Sequence, residues 1–217
     1  MSLRIGDREI TKILVVDDEK AGRESYGLTV EEVDVETILQ EEKTESVDKF
    51  FMKLNAQDAV VSDYHLRRTS SYFPMNGAEL VSGCYDRHIP SVLLTRYEKP
   101  YIHEIRPFRN KIPVMLPPDE FTPDTLRWAL TECVNEFNGH VSVNRKTWRT
   151  LVRIDQVDEA SVLVFVPSWN SSEAIELRKA ELPQELLVSL KPDLRIFAKV
   201  NIEAENVFEL FFTNWEF

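Results

Sequence analysis

Ile13-Leu14-Val15-Val16-Asp17-Asp18-Glu19 is an apolar, β-branched run that breaks into three carboxylates. With no polar position inside it, the run reads as a strand buried on both faces. The pattern repeats outward. Residues 34–39 read as a second strand. Residues 59–62 form a third apolar run that ends at Asp63, residues 90–94 a fourth that ends at Thr95, and residues 112–116 a fifth. Helical spacing fills the gaps. Val47, Phe50, Phe51 and Leu54 share one face over 44–54, and Asn76-Gly77-Ala78-Glu79 has the residues of a capped helix start. Thr122-Pro123 opens another helix, with Leu126, Ala129, Leu130, Cys133, Val134 and Phe137 on one side and Asn138-Gly139 at its end. Short buried strands alternating with helices predict an α/β fold, a doubly wound parallel sheet of five strands in the order 2-1-3-4-5. Asp17, Asp18, Asp63 and Thr95 then fall at the carboxyl ends of three strands, the edge where such sheets bind ligands.

Composition narrows the function classes. The 217 residues carry 26 basic and 37 acidic side chains, a net charge of −11. That balance argues against a dominant nucleic-acid or anionic-membrane role, since both reward cationic surface. Apolar residues make up 43% of the chain, enough for a real core. The two cysteines, Cys84 and Cys133, make no disulfide framework and no zinc ribbon, and read as reduced thiols. No apolar run approaches a bilayer span, and the first residues have no apolar signal core. The expected location is cytoplasmic, which leaves the sequon Asn170-Ser171-Ser172 without meaning.

Beyond residue 140 the apolar period changes to two. Trp148, Thr150, Val152 and Ile154 share a face; 162–166 is continuously apolar; 173–177, 195–202 and 207–212 are further candidate strands, with one or two helical turns over 183–190. Five short strands with a helix between the third and fourth predict a small all-β barrel, similar to an oligonucleotide-binding-type (OB) or an SH3-like fold. The boundary falls near 138–147, giving domains 1–140 and 141–217. The second domain has nine basic and twelve acidic residues, and no histidine or cysteine. Arg149, Leu151 and Arg153 share a strand face, as do Arg195, Phe197 and Lys199, a pattern that can hold a single nucleic-acid strand. A solvated face explains it as well. A protein target therefore ranks ahead of nucleic acid.

The first of these segments resembles the opening strand of response-regulator receiver domains, which are CheY-like and flavodoxin-like in fold. Ala59-Val60-Val61-Ser62-Asp63-Tyr64 resembles the phospho-acceptor strand, Pro74-Met75-Asn76-Gly77 the turn before the third helix, and Ser91-Val92-Leu93-Leu94-Thr95 the fourth strand with its terminal hydroxyl. The likeness spans roughly residues 10–138. It implies a phosphoprotein of a two-component phosphorelay rather than an enzyme, with Asp63 as acceptor. It also implies Mg²⁺ held by Asp17, Asp18, Asp63 and the backbone carbonyl of His65, and Thr95 donating its hydroxyl to a phosphoryl oxygen. The implied partners are a sensor histidine kinase or phosphotransfer protein, and a second copy through residues 98–137. Chemistry agrees with the grouping: a carboxylate can form an acyl phosphate, phosphoryl transfer rests on positioning and charge neutralisation, and converging carboxylates suit a hard divalent cation.

The sequence departs from that family at three positions and in one loop. The lysine that ends the fifth strand is Pro117, with Pro118 at the family's proline, which often follows a cis bond. The aromatic switch position is Val114, and Arg96 follows Thr95 where a small residue is common. The loop from Tyr64 to Pro74 is long and carries Arg67 and Arg68, placed to shield the acidic pocket or to face water. Two readings result: an atypical response regulator phosphorylated on Asp63, or a pseudo-receiver acting as a constitutive interaction module. A phosphatase with an aspartate nucleophile fits poorly, because its acid/base position holds His65.

Overall fold

A short hairpin of β1 (Leu3–Ile5) and β2 (Arg8–Ile10) leads into β3 (Lys12–Val16), the run quoted above. The chain continues through α1 (Lys20–Glu31), β4 (Glu36–Leu39), α2 (Val47–Met52), β5 (Asp58–Asp63), α3 (Gly77–Tyr85) and β6 (Ser91–Leu94). After α4 (Lys99–Ile105) and a 3₁₀ segment, Arg106–Lys111, come β7 (Val114–Leu116) and α5 (Pro123–Phe137). The structure, a computed structural model, describes residues 2–68, 72–96 and 99–217. It divides into two units: Met1–Glu98 with Lys111–Val141, and Lys99–Asn110 with Ser142–Phe217.

The first unit holds a parallel sheet in the order β4-β3-β5-β6-β7, which is 2-1-3-4-5 among its own five strands. Alternation along β3 explains why the sheet is covered twice. Ile13 and Val15 join a core with Val30 of α1 and Leu126, Ala129 and Leu130 of α5. Leu14 and Val16 join the opposite core with Phe50 and Phe51 of α2 and Leu80 and Cys84 of α3. Each strand side chain therefore has an apolar partner layer, as a two-sided α/β sheet requires. The helices begin where expected. Asn76 and Glu79 form a reciprocal capping box, and Thr122 accepts from the N–H of Thr125, with Pro123 first in α5.

Three elements differ from the sequence reading. The β1–β2 hairpin was not foreseen, although Leu3, Ile5 and Ile10 are buried in the α1/α5 core. Its Gly6-Asp7 turn puts Gly6 at φ +60°, a conformation suited to two-residue hairpin loops. The second strand starts at Glu36 rather than 34, because Asp34 sits at φ +59° and closes the turn after α1 through its N–H to Glu31. The segment carrying α4 and Arg106–Asn110 groups with the second unit rather than with the rest of residues 1–140.

The second unit is an antiparallel sheet of β8 (Trp148–Val157), β9 (Ser161–Val166), β10 (Asn170–Arg178), β11 (Arg195–Val200) and β12 (Phe212–Glu216), in the order β10-β9-β8-β11-β12. Its first four strands have the spatial order 4-1-2-3 of a Greek key. Among the described residues no pairing joins the two edge strands β10 and β12. A 3₁₀ turn, Lys179–Glu181, and α6 (Gln184–Leu187) lie between the third and fourth strands. The expected fifth strand, 207–212, is displaced to Phe212–Glu216. Leu210 and Phe211 are buried as anticipated, but the ladder does not reach them. The Asn201 side chain takes its place, donating to Glu209 O at 3.0 Å and accepting from the Phe211 N–H at 2.8 Å.

Candidate functional site

Pairing register brings the candidate residues to one sheet edge. Val16 is level with Ser62, Asp63 with Leu94, and Leu94 with Leu116. Asp17, Asp63, Thr95 and Pro117 therefore stand at the carboxyl ends of adjacent strands. Asp17, Asp18 and Thr95 are buried, and Asp63 is half-buried. The Thr95 N–H extends the ladder to Leu116 O at 2.9 Å. His65 folds back over the acceptor candidate, its N–H donating to Asp63 Oδ2 at 2.6 Å.

Electrostatics shows that the carboxylates share one pocket. Burial and then the charge of Asp17 push the Asp63 carboxyl up to about 7, with Asp18 adding to the rise and the His65 N–H and Arg68 opposing it. Burial pushes Asp17 up to about 6, against the Glu19 N–H, which donates to its Oδ1 at 2.7 Å, and with the help of Asp18. Desolvation and like charge both disfavour the ionised form of a carboxyl. The ionised forms of Asp17 and Asp63 are therefore disfavoured in this pocket. Among the described residues no three His, Cys, Asp or Glu side chains are gathered into a ready-made metal cluster. A cation here would draw on one or two carboxylates together with water and backbone oxygen.

Helix starts crowd this edge, and two glycines make room. A Cβ on Gly77 would lie 2.0 Å from the Asp63 carbonyl oxygen, and one on Gly22 would lie 2.0 Å from Asp17 Oδ2. Neither approach is open to a larger residue without moving the acidic pair. The Gly77 N–H also donates to Tyr64 O at 2.9 Å, fastening α3 to the loop after β5. Arg23 of α1 donates to the Asp17 carbonyl at 2.5 Å, with its guanidinium 5.3 Å from the Tyr72 ring centroid. Of the loop arginines, Arg67 binds the Pro74 carbonyl and Glu79, whereas Arg68 lies 2.7 Å from His65 Nε2 and acts on Asp63.

Tyr26 was not singled out from the sequence. Burial and then the charges of Asp63 and Asp17 push its phenol up to about 12, and Arg96 opposes the shift. The ring packs edge-on against Phe121 at 5.7 Å. Tyr26 and Arg96 thus border the acidic pocket. Only the three-dimensional turn of α1 reveals Tyr26 there, since no spacing rule marks it.

This chain is similar to receiver domains of known structure. A response regulator receiver domain protein from Clostridium thermocellum is 19% identical, with a TM-score of 0.46 over 59% of this chain and 98% of the other. The chemotaxis response regulator CheY4 of Vibrio cholerae is 21% identical, with a TM-score of 0.41 over 57% and 98%. The response regulator TrrA of Thermotoga maritima, solved in complex with Mg²⁺ and BeF, is 23% identical, with a TM-score of 0.43 over 57% and 99%. At these identities the likeness concerns fold alone. No family model and no curated protein matches the chain.

The departures remain in place within the folded chain. Pro117 stands beside Thr95 in register and offers neither ammonium nor N–H. Val114 is buried inside β7, in the α1/α5 core. No peptide bond among the described residues is cis, so the Pro117–Pro118 bond is trans, unlike the family habit noted above. Cys84 and Cys133 are free and buried, and desolvation pushes the Cys84 thiol up to about 12. Among the described residues no helix is long and apolar enough to cross a membrane.

Proposed function

We propose that the first unit is a phospho-acceptor module of the response-regulator type, with Asp63 as the acceptor. One observation carries the reading: the charges of Asp17 and Asp18 both raise the Asp63 carboxyl at a single sheet edge. An Asp63 carboxylate oxygen attacks the phosphorus of a phosphohistidine, on a sensor kinase or phosphotransfer protein. The phosphorus–nitrogen bond breaks, the electron pair leaves with the imidazole, and Asp63 becomes an acyl phosphate. Asp18, Asp63 and the His65 carbonyl would hold Mg²⁺, with Asp17 acting partly through water, and the ion would supply neutralising charge for the phosphoryl oxygens when bound. The His65 N–H keeps one Asp63 oxygen engaged, which directs the other to attack. Thr95 would donate its hydroxyl to a phosphoryl oxygen. Tyr26 and Arg96 border the same space and would meet the phosphoryl group there.

Pro117 and Val114 favour a second reading, a pseudo-receiver that keeps the fold without the switch. Intact-mass measurement after incubation with Mg²⁺ and acetyl phosphate separates the two. A gain of one phosphoryl group that Asp63→Ala abolishes supports the first reading. No gain at saturating donor supports the second. For the second unit, the Greek-key order with a helix between the third and fourth strands favours an OB-type barrel over an SH3-like one. A cytoplasmic location fits this phosphorelay reading. Any self-association through residues 98–137 has to be compatible with 99–110 packing as part of the second unit.

A further inference from the structure

We propose that an open groove on the second unit docks a basic, apolar-flanked peptide segment of a partner protein. The groove encloses about 810 Å³, within the range of specific ligand pockets. One wall is Ile102 and His103 of α4, another is edge strand β10 with Trp169, and the third is the turn over 202–208. Two features give it a definite chemistry.

The first is its rim. Glu173, Glu176, Glu203 and Glu205 line the groove, and all four are exposed. Among the described residues Glu173, Glu203 and Glu205 have no ion-pair partner, and Glu176 only reaches His103 Nε2 at 3.9 Å. The two basic residues of the wall do not neutralise the rim. His103 Nδ1 and Arg106 are already bound to the buried Glu181, at 2.8 and 2.9 Å.

The second is its floor. Trp169, Ile202, Val207 and Phe208 are half-buried beneath that rim. An aromatic and aliphatic floor under carboxylates suits lysine and arginine, whose stems pack on apolar surface while their cationic heads meet aromatic faces and acids.

These features exclude other occupants. Phosphates of a nucleic acid would meet four carboxylates. A second copy of the chain would bring a net charge of −11. No metal cluster lies here among the described residues. An extended basic peptide satisfies the rim and the floor together, as edge-strand recognition does elsewhere.

The test uses the full chain without Mg²⁺ or phosphodonor, so it stands apart from the phospho-acceptor reading. Fluorescence anisotropy is measured with a short labelled peptide alternating lysine with leucine and phenylalanine. Controls are an analogue with glutamate for lysine, and a single-stranded oligonucleotide. The expected result is saturable binding of the basic peptide alone, weakened at least tenfold by Glu203→Lys with Glu205→Lys. Asp63→Ala should bind as wild type does. A control pair, Glu31→Lys with Glu32→Lys at the exposed end of α1, should change affinity less than twofold. Equal loss from both charge-reversal pairs would mean diffuse attraction to an acidic protein and would overturn the assignment. So would failure of the basic peptide to bind folded wild type, or binding of the oligonucleotide at this groove.

Discussion

Replacing Asp63 by asparagine should stabilise the first unit, and the gain should depend on pH. Asparagine keeps an oxygen to accept the His65 N–H and removes the charge. In the folded chain Asp63 titrates at about 7 instead of 3.8. Between those values the folded state binds more protons than the unfolded one, so stability falls as pH rises through the window. At about 1.4 kcal/mol per pH unit the loss would reach roughly 4 kcal/mol above pH 7. Partial exposure and the shared repulsion with Asp17 reduce that, and a measured value of about 1–3 kcal/mol is expected. Near pH 4 the variant and wild type should be equal. Because the chain has two units, a single unfolding midpoint is ambiguous. Hydrogen exchange of β3 and β5 amides, in EDTA, reads the first unit directly. With millimolar Mg²⁺ the difference should shrink or reverse, since a bound cation removes the penalty in wild type only. A stability difference that stays flat from pH 4 to 8 would refute the shared-pocket account.

Three further outcomes follow from the same physics. Glu181→Ala leaves Arg106 charged and buried, so the second unit should lose about 3–5 kcal/mol in urea unfolding, with exchange rising first over 99–110; a loss under about 1 kcal/mol would show that the pair does not fasten this segment. Gly77→Ala drives a Cβ against the Asp63 carbonyl, and should cost roughly 1–3 kcal/mol and slow any phosphorylation by acetyl phosphate, whereas unchanged rates would mean the loop yields freely. Mg²⁺ should raise the melting temperature of wild type but not of Asp18→Ala; equal shifts in both would place the cation elsewhere.

The first unit was legible because its information is local. The run from Ile13 to Val16 has no polar position, and only a strand covered on both faces can accommodate it. Carboxylates at the ends of such runs then mark one edge whatever the details of the helices. What the sequence withheld depends on three-dimensional proximity. Gly22 looks like any helix residue until Asp17 Oδ2 is found where its Cβ would be. Tyr26 has no motif, yet Asp63 and Asp17 both act on its phenol. Leu3, Ile5 and Ile10 do alternate, but strands of three residues are too short for a period to stand out.

The second unit shows a different limit. Val207–Phe212 has strand-like apolar content, and its residues Leu210 and Phe211 are buried, so hydrophobicity reported burial correctly and pairing wrongly. Asn201 makes the difference, because its amide satisfies the backbone of that segment and leaves no need for a ladder. The assignment of 99–110 turns on the same kind of residue. His103 and Arg106 fall within residues 1–140, and no motif in the sequence marks them. Their partner, Glu181, is about 75 residues further on and sits in a 3₁₀ turn that has no sequence signature. A buried acid accepting from His103, Arg106 and the Arg178 N–H is more demanding of its neighbours than an apolar contact, since each lost partner leaves an unsatisfied group. Polar residues that complete one another across long sequence separations therefore decide where the two units divide, and hydrophobic periodicity alone is blind to them.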